Sequence, residues 1–259
     1  MATPPPRFRR QRTTPLAGLS SLLAAACCAS HRACAERVVT PEEFGAVGDG
    51  KANDWIPIQH ALAACPTAVY DSKAPQPCRV LFTKSYLSGP LIINSSRTTL
   101  EVATGATLAM LQRSDYEKAC PQTGCDFIST APADMRFGGE GCRTVYPNPN
   151  SRASGYRVCL SDVTVTGDGT IDGGASYEPS SWWLCARLEL KNCWRPNLSY
   201  FTSIAGFTVN GSLTLKNSPN HFMRLDGCVG SRVTGLTIDG AGGPLPARPP
   251  CTRSPPTER

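Results

Sequence analysis

Few side chains in this sequence sit where acid–base chemistry is plausible. Asp168 and Asp172 lie four residues apart in "GDGTIDG". Two carboxyl groups so spaced suggest a general acid and a general base. However, aspartates flanked by glycine commonly hydrogen-bond the backbone of their own turn, and both are read as structural. Asp226 in "RLDGC" is read as a turn residue on the same ground. His221 follows a Pro-Asn turn and has no acidic or cysteine partner nearby in sequence, so it is expected at a corner or in the core. His60 falls on an amphipathic segment and is expected in solvent. The pair Trp182-Trp183 has the rings to stack a sugar. No Asp-Asp pair occurs, and no cysteine or histidine spacing matches a zinc site. The spacing Gly45-x-x-Gly48-x-Gly50 fits neither a dinucleotide loop nor a P-loop. No catalytic residue, cofactor or metal is therefore assigned.

The elements around these residues are mostly short strands. "RVLFT" (79–83), "PLIIN" (90–94), "TTLEV" (98–102) and "ATLAM" (106–110) are apolar or β-branched and divided by turn formers. Strands resume in "VTVTGDGTIDG", "FTVNGSLTLKNS" and "RVTGLTIDG". "SLTLKNS" and "GLTIDGA" superpose at an offset of 23 residues. A strand-sized repeat of that length predicts an all-β, right-handed parallel β-helix, with inward Val, Ile and Leu and with Asn, Ser and Thr ladders at its corners. Ahead of the strands, Asp54 is placed to cap a short helix over 54–64, with Trp55, Ile58 and Leu62 on one face. That helix is expected to cover the N-terminal end of the coil stack, because an open end exposes apolar core and strand edges. Gly45, Gly48 and Gly50 let the chain turn into it. Residues 112–160, rich in Cys and Pro, read as a disulfide-tied excursion.

Composition narrows the function classes. Five of the 26 basic residues precede Glu36, where no acid occurs, so the remainder is near neutral and carries no nucleic-acid patch. Residues 1–35 read as a secretory signal: "RFRRQR", an Ala/Leu-rich run, then "ACA". No membrane span is expected after its removal, and a transit peptide is the rival reading. Ten of the 13 cysteines then remain, an even number that suits disulfides, with Cys65 and Cys78 a reasonable pair. Asn94, Asn197 and Asn210 stand in glycosylation sequons.

Several of these strings resemble one family. "FGAVGDGKANDWIPIQHALAAC" is similar to the N-terminal signature of pectin-degrading β-helix enzymes. "YLSGPLII", "TTLEVATGATLAM", "VTGDGTIDGGASYEPSSWW" and "LTLKNSPNHFMRLDGC" resemble the polygalacturonases, glycoside hydrolase family 28, over roughly residues 38–239. The resemblance implies a secreted or cell-wall enzyme that hydrolyses α-1,4 bonds of polygalacturonate with inversion. Its implied partner is pectic polysaccharide, its implied state is monomeric, and it places the Trp182-Trp183 pair near the coil packing. Inversion requires a carboxylic acid and a second carboxylate set apart to admit water. The family supplies these from NTDG, Asp-Asp, GHG and RIK motifs beyond the NSP segment, and none of those strings occurs here. Residues 241–259, with six prolines, are expected to be a disordered tail. The expected architecture is thus a partial β-helix over 36–240 that stops short of the active site and is catalytically inactive. The alternatives are a non-catalytic secreted protein that binds wall polysaccharide, or another β-helix enzyme such as a lyase or glucanase.

Overall fold

The computed structural model describes residues 35–66, 76–120, 125–130, 142–145, 156–188 and 193–240. The expected signal segment, apart from Ala35, and the expected tail lie outside these residues, as does Cys251.

Three parallel sheets run through the described residues; six successive coils each add a strand to the first two sheets, and four of them add one to the third. The first sheet stacks Arg37–Val39, Cys78–Phe82, Thr98–Val102, Thr164–Gly167, Thr208–Val209 and Arg232–Val233. The second stacks Asp49–Asn53, Ser85–Ser88, Thr107–Met110, Thr170–Asp172, Thr214–Lys216 and Thr237–Asp239. The third stacks Leu91–Ile93, Ile128–Thr130, Ser199–Thr202 and Arg224–Asp226. This is the right-handed parallel β-helix read from the repeat. Thr214, Leu215 and Lys216 pair with Thr237, Ile238 and Asp239, the 23-residue offset visible in the sequence.

Period-two alternation builds the core, since every second side chain of a strand points inward. Val39, Val80, Leu100, Val165, Val209 and Val233 form one column through the first sheet. Tyr86, Leu108, Ile171, Leu215 and Ile238 form another through the second. Every member is buried except the last. Val233 is 43% exposed and Ile238 57% exposed, and Leu225, stacked on buried Phe201, is 39% exposed.

The opposite end is closed by helix α1, Trp55–Ala63, which buries Ile58, Ala61 and Leu62 against the core. Gln59 gives this helix a second function. Its side-chain amide donates to Ile92 O at 3.1 Å and accepts from Ile92 N at 2.9 Å. One side chain thereby satisfies the edge of the third sheet as a neighbouring strand would. Asp54 departs from the expected side-chain cap. Its carboxylate accepts from Val47 N and Gly48 N at 2.8 and 3.0 Å, so it ties down the glycine loop, while Asn53 accepts from Trp55 N. Gly45, Gly48 and Gly50 all have positive φ.

The excursion over 112–160 is less separate than expected. It contains helix α2, Arg113–Ala119, and the strand Ile128–Thr130, which is a full member of the third sheet. It also holds an antiparallel pair, Arg143–Val145 with Tyr156–Val158. Disulfides join Cys65–Cys78, as expected, and Cys120–Cys125, Cys142–Cys159 and Cys185–Cys193. A third helix, α3 (Trp182–Arg187), begins at the tryptophan pair.

One corner depends on glycine. Gly167, Gly211 and Gly235 lie one above another with positive φ, and a Cβ on Gly211 would sit 2.5 Å from Gly167 O. Gly211→Ala should therefore cost about 1–3 kcal/mol, the range for a forced left-handed residue, measured by chemical denaturation.

Candidate functional site

The outer face of the third sheet gathers the polar and aromatic side chains of several coils. Ile92, Ser129, Tyr200 and Arg224 stack in register along the axis, and Thr202 stacks beside Asp226. The Arg224 guanidinium lies 5.0 Å from the centre of the Tyr200 ring. Tyr200 Oη donates to Asp226 Oδ2 at 3.2 Å, and Arg224 Nη2 is 3.9 Å from the same oxygen. Asp226 is therefore a strand residue with side-chain partners, not the turn residue the sequence suggested. Burial, with the Asp226 charge second, holds the Tyr200 phenol above its ordinary value.

Beside this row, the corner that leads into the third sheet carries a polar ladder over three coils. Asp126 is buried and its Oδ1 accepts from Asn197 N at 2.8 Å. Asn197 Oδ1 accepts from Asn220 Nδ2 at 3.2 Å and from His221 N at 3.3 Å, and lies 2.9 Å from His221 Nδ1. An acceptor oxygen there calls for the proton on Nδ1, which leaves Nε2 the unprotonated nitrogen of the neutral ring. Arg195 adds a cation alongside and donates to Pro219 O at 3.1 Å. His221 thus stands at a corner, as expected, but exposed and oriented. Asp126 and Asn197 were not singled out from sequence. Asn197 was visible only as a sequon, and its burial, with Oδ1 engaged by Asn220 and His221, argues against a glycan there, whereas Asn210 is exposed.

Burial is the main cause that raises the Asp126 carboxyl, opposed by hydrogen bonds from Asn197. In the unfolded chain this group ionises near 3.9. Above that pH, and up to its raised folded value, the native state holds the extra proton, so this group's contribution to stability falls as pH rises. Asp126→Asn should remove that slope. Thermal midpoints of wild type minus variant should decline from about pH 4 upward; parallel curves would contradict the assignment.

The remaining candidates are structural. Asp168 Oδ1 accepts from Ser212 N at 2.9 Å, so it bonds the next coil and not its own turn. Asp172 Oδ1 accepts from Gly174 N at 2.8 Å and from Asn217 Nδ2 at 3.1 Å. Trp182 is buried in the core with its ring edge-to-face on Tyr116. Trp183 is half-buried and donates from Nε1 to Ser218 O at 2.8 Å. His60 is exposed on α1. Among the described residues, no group of three or more His, Cys, Asp or Glu is placed to hold a metal ion.

Fold and site together define a right-handed parallel β-helix protein with a polar, aromatic outer sheet face. Solved structures share the fold. A family 28 exopolygalacturonase from Yersinia enterocolitica matches over 80% of this chain and 40% of its own, at 18% identity and TM-score 0.54. A hyperthermoactive exopolygalacturonase from Thermotoga maritima matches over 87% and 52%, at 15% identity and TM-score 0.50. A Parabacteroides merdae protein designated a glycosyl hydrolase matches over 79% and 75%, at 15% identity and TM-score 0.54. At these identities the likeness is one of fold, and the chain spans about half or less of the two exopolygalacturonases. No protein-family model matches the chain, and no curated protein matches it.

Proposed function

We propose that this chain is a polygalacturonase-type β-helix protein of the extracellular space or cell wall, which binds pectic polysaccharide on the outer face of its third sheet. The family activity is inverting hydrolysis of α-1,4-galacturonosidic bonds; residues 36–240 retain the recognition face of such a protein without its acid–base pair. The observation that carries this reading is the axial row Ser129–Tyr200–Arg224, with His221 and Arg195 beside it. A flat sheet face suits an extended polymer. An aromatic ring covers sugar C–H faces, and guanidinium groups pair with uronate carboxylates. Four disulfides among the described residues suit an oxidising compartment, and no helix there is long and apolar enough to cross a membrane. The fold shared with two exopolygalacturonases supports the substrate class.

The test is affinity electrophoresis through gels containing polygalacturonate. Wild type should be retarded. Arg224→Gln should weaken binding roughly tenfold or more, as loss of a charge-assisted contact of about 1.5–3 kcal/mol implies, and Tyr200→Ala should weaken it through loss of ring contact. Equal retardation of all three proteins, or none of wild type, would remove the third-sheet face from consideration.

A further inference from the structure

The glycine corner between the first and second sheets carries a reactive pair. Asn210-Gly211 is the only Asn-Gly step in the chain. Asn210, Gly211 and Ser212 are all exposed. The exposure is lateral, because this coil has a neighbour on each side: Asn210 N donates to Val165 O at 3.3 Å, and Thr234 N donates to Val209 O at 2.9 Å. Ser212 N is also engaged, by Gly167 O at 3.1 Å and Asp168 Oδ1 at 2.9 Å. Between these two amides, the Gly211 N–H meets no acceptor among the described residues, and the Asn210 side chain makes no hydrogen bond there.

We propose that Asn210 is a self-modification site, at which the Gly211 nitrogen attacks Asn210 Cγ and closes a succinimide. The new N–Cγ bond forms as the Cγ–Nδ2 bond breaks, and Nδ2 leaves as ammonia with the proton given up by Gly211 N. Water then opens the ring. Opening at Cγ gives aspartate; opening at the main-chain carbonyl gives isoaspartate, whose main chain runs through Cβ and Cγ. Glycine has no Cβ to hinder the approach of its nitrogen. No hydrogen bond has to break first, and solvent reaches both the leaving group and the ring. Other asparagines lack this combination. At Asn53, Asn197 and Asn220 the following amide is bound, by Leu87 O, His221 O and Asn197 Oδ1. At Asn94 and Asn217 the following serine is buried.

The two products differ in what they do to the fold. Isoaspartate lengthens the main chain in a corner with no slack. A Cβ on Gly211 would already sit 2.5 Å from Gly167 O, and one on Gly235 would sit 1.8 Å from Gly211 O. The longer chain must therefore push Gly211 out of the glycine stack and strain the bonds that Ser212 N makes to the coil beneath. Aspartate keeps the backbone path and leaves the corner intact. The inference does not rest on the polysaccharide reading. An N-linked sugar on Nδ2, which the Asn210 sequon admits, would occupy the leaving nitrogen, so the test uses chain made without one.

The experiment is timed peptide mapping of the full folded chain, secreted by a host that adds no N-linked sugar and held in warm, mildly alkaline buffer. The peptide that spans Asn210 should lose ammonia, then gain water and split into aspartate and isoaspartate forms. It should do so ahead of every other described asparagine. A methyltransferase specific for isoaspartate should label the aged chain and not the fresh one. The thermal midpoint should fall as the isoaspartate form accumulates. Asn210→Gln, at an exposed side chain without partners, should fold as wild type does and abolish both the labelling and the fall. Asn210→Asp, freshly made, should keep the wild-type midpoint. The proposal fails if Asn210 stays intact while another described asparagine reacts, or if Asn210→Gln ages as wild type does. It also fails if isoaspartate forms at Asn210 and the midpoint does not move, since the corner would then have room for the longer chain.

Discussion

Incubated with polygalacturonate, the purified 36–259 protein should release reducing ends no faster than a heat-killed control. Inverting hydrolysis needs a protonated carboxyl at the leaving oxygen and a second carboxylate across a gap that admits water. General acid and general base each contribute roughly 10²–10⁴-fold, so loss of both lowers the rate by about 10⁴–10⁸-fold. The described aspartates nearest these roles are otherwise engaged. Asp168 and Asp172 hold backbone and side-chain amides of the next coil. Asp126 is buried and holds Asn197 N. Asp226 is exposed but shared between Tyr200 and Arg224. Reducing-end release clearly above the control would overturn this, and product stereochemistry would then show whether the pair inverts or retains.

The second expectation contrasts two positions of one column. Leu108→Ala should destabilise the fold by about 2–5 kcal/mol, the usual range for truncation of a fully buried aliphatic side chain. Leu108 is 0% exposed, between Tyr86 below and Ile171 above. Ile238→Ala occupies the same column at its far end, where Ile238 is 57% exposed and Leu215 alone lies beneath it. Its cost should be under about 1 kcal/mol, since most of its apolar area already faces water. Urea denaturation of both variants measures the contrast. Equal costs would mean that the column is covered beyond Ile238.

Much of the fold was legible because a solenoid writes its core in short, repeated strings. "TTLEV" alternates apolar and polar residues and forms the strand Thr98–Val102; the repeat between "SLTLKNS" and "GLTIDGA" is the observed register. Strands without apolar alternation were missed. Asp49–Asn53 reads "DGKAN" and is a strand only because its backbone pairs with Ser85–Ser88. Helices α2 and α3 were missed because each is under two full turns and owes its stability to packing, not to a periodic face. The site was less legible than the fold. Tyr200 and Arg224 are 24 residues apart in sequence and share a face only through coil register. Asp126 joins Asn197 across 71 residues, a separation set by the length of the intervening excursion. Nothing local to Asp126 signals a partner, whereas Gln59 lay in a legible helix with an illegible purpose.

That purpose bears on the order in which the molecule can be made. Gln59 and Ile92 are 33 residues apart, so the finished face of the stack is complete once the first two coils have left the ribosome. From then on a nascent chain has a closed face behind it and a growing face ahead. Each new coil meets a template already in register. Synthesis and stacking therefore run in the same direction, and the growing face always lies beside the segment still to emerge.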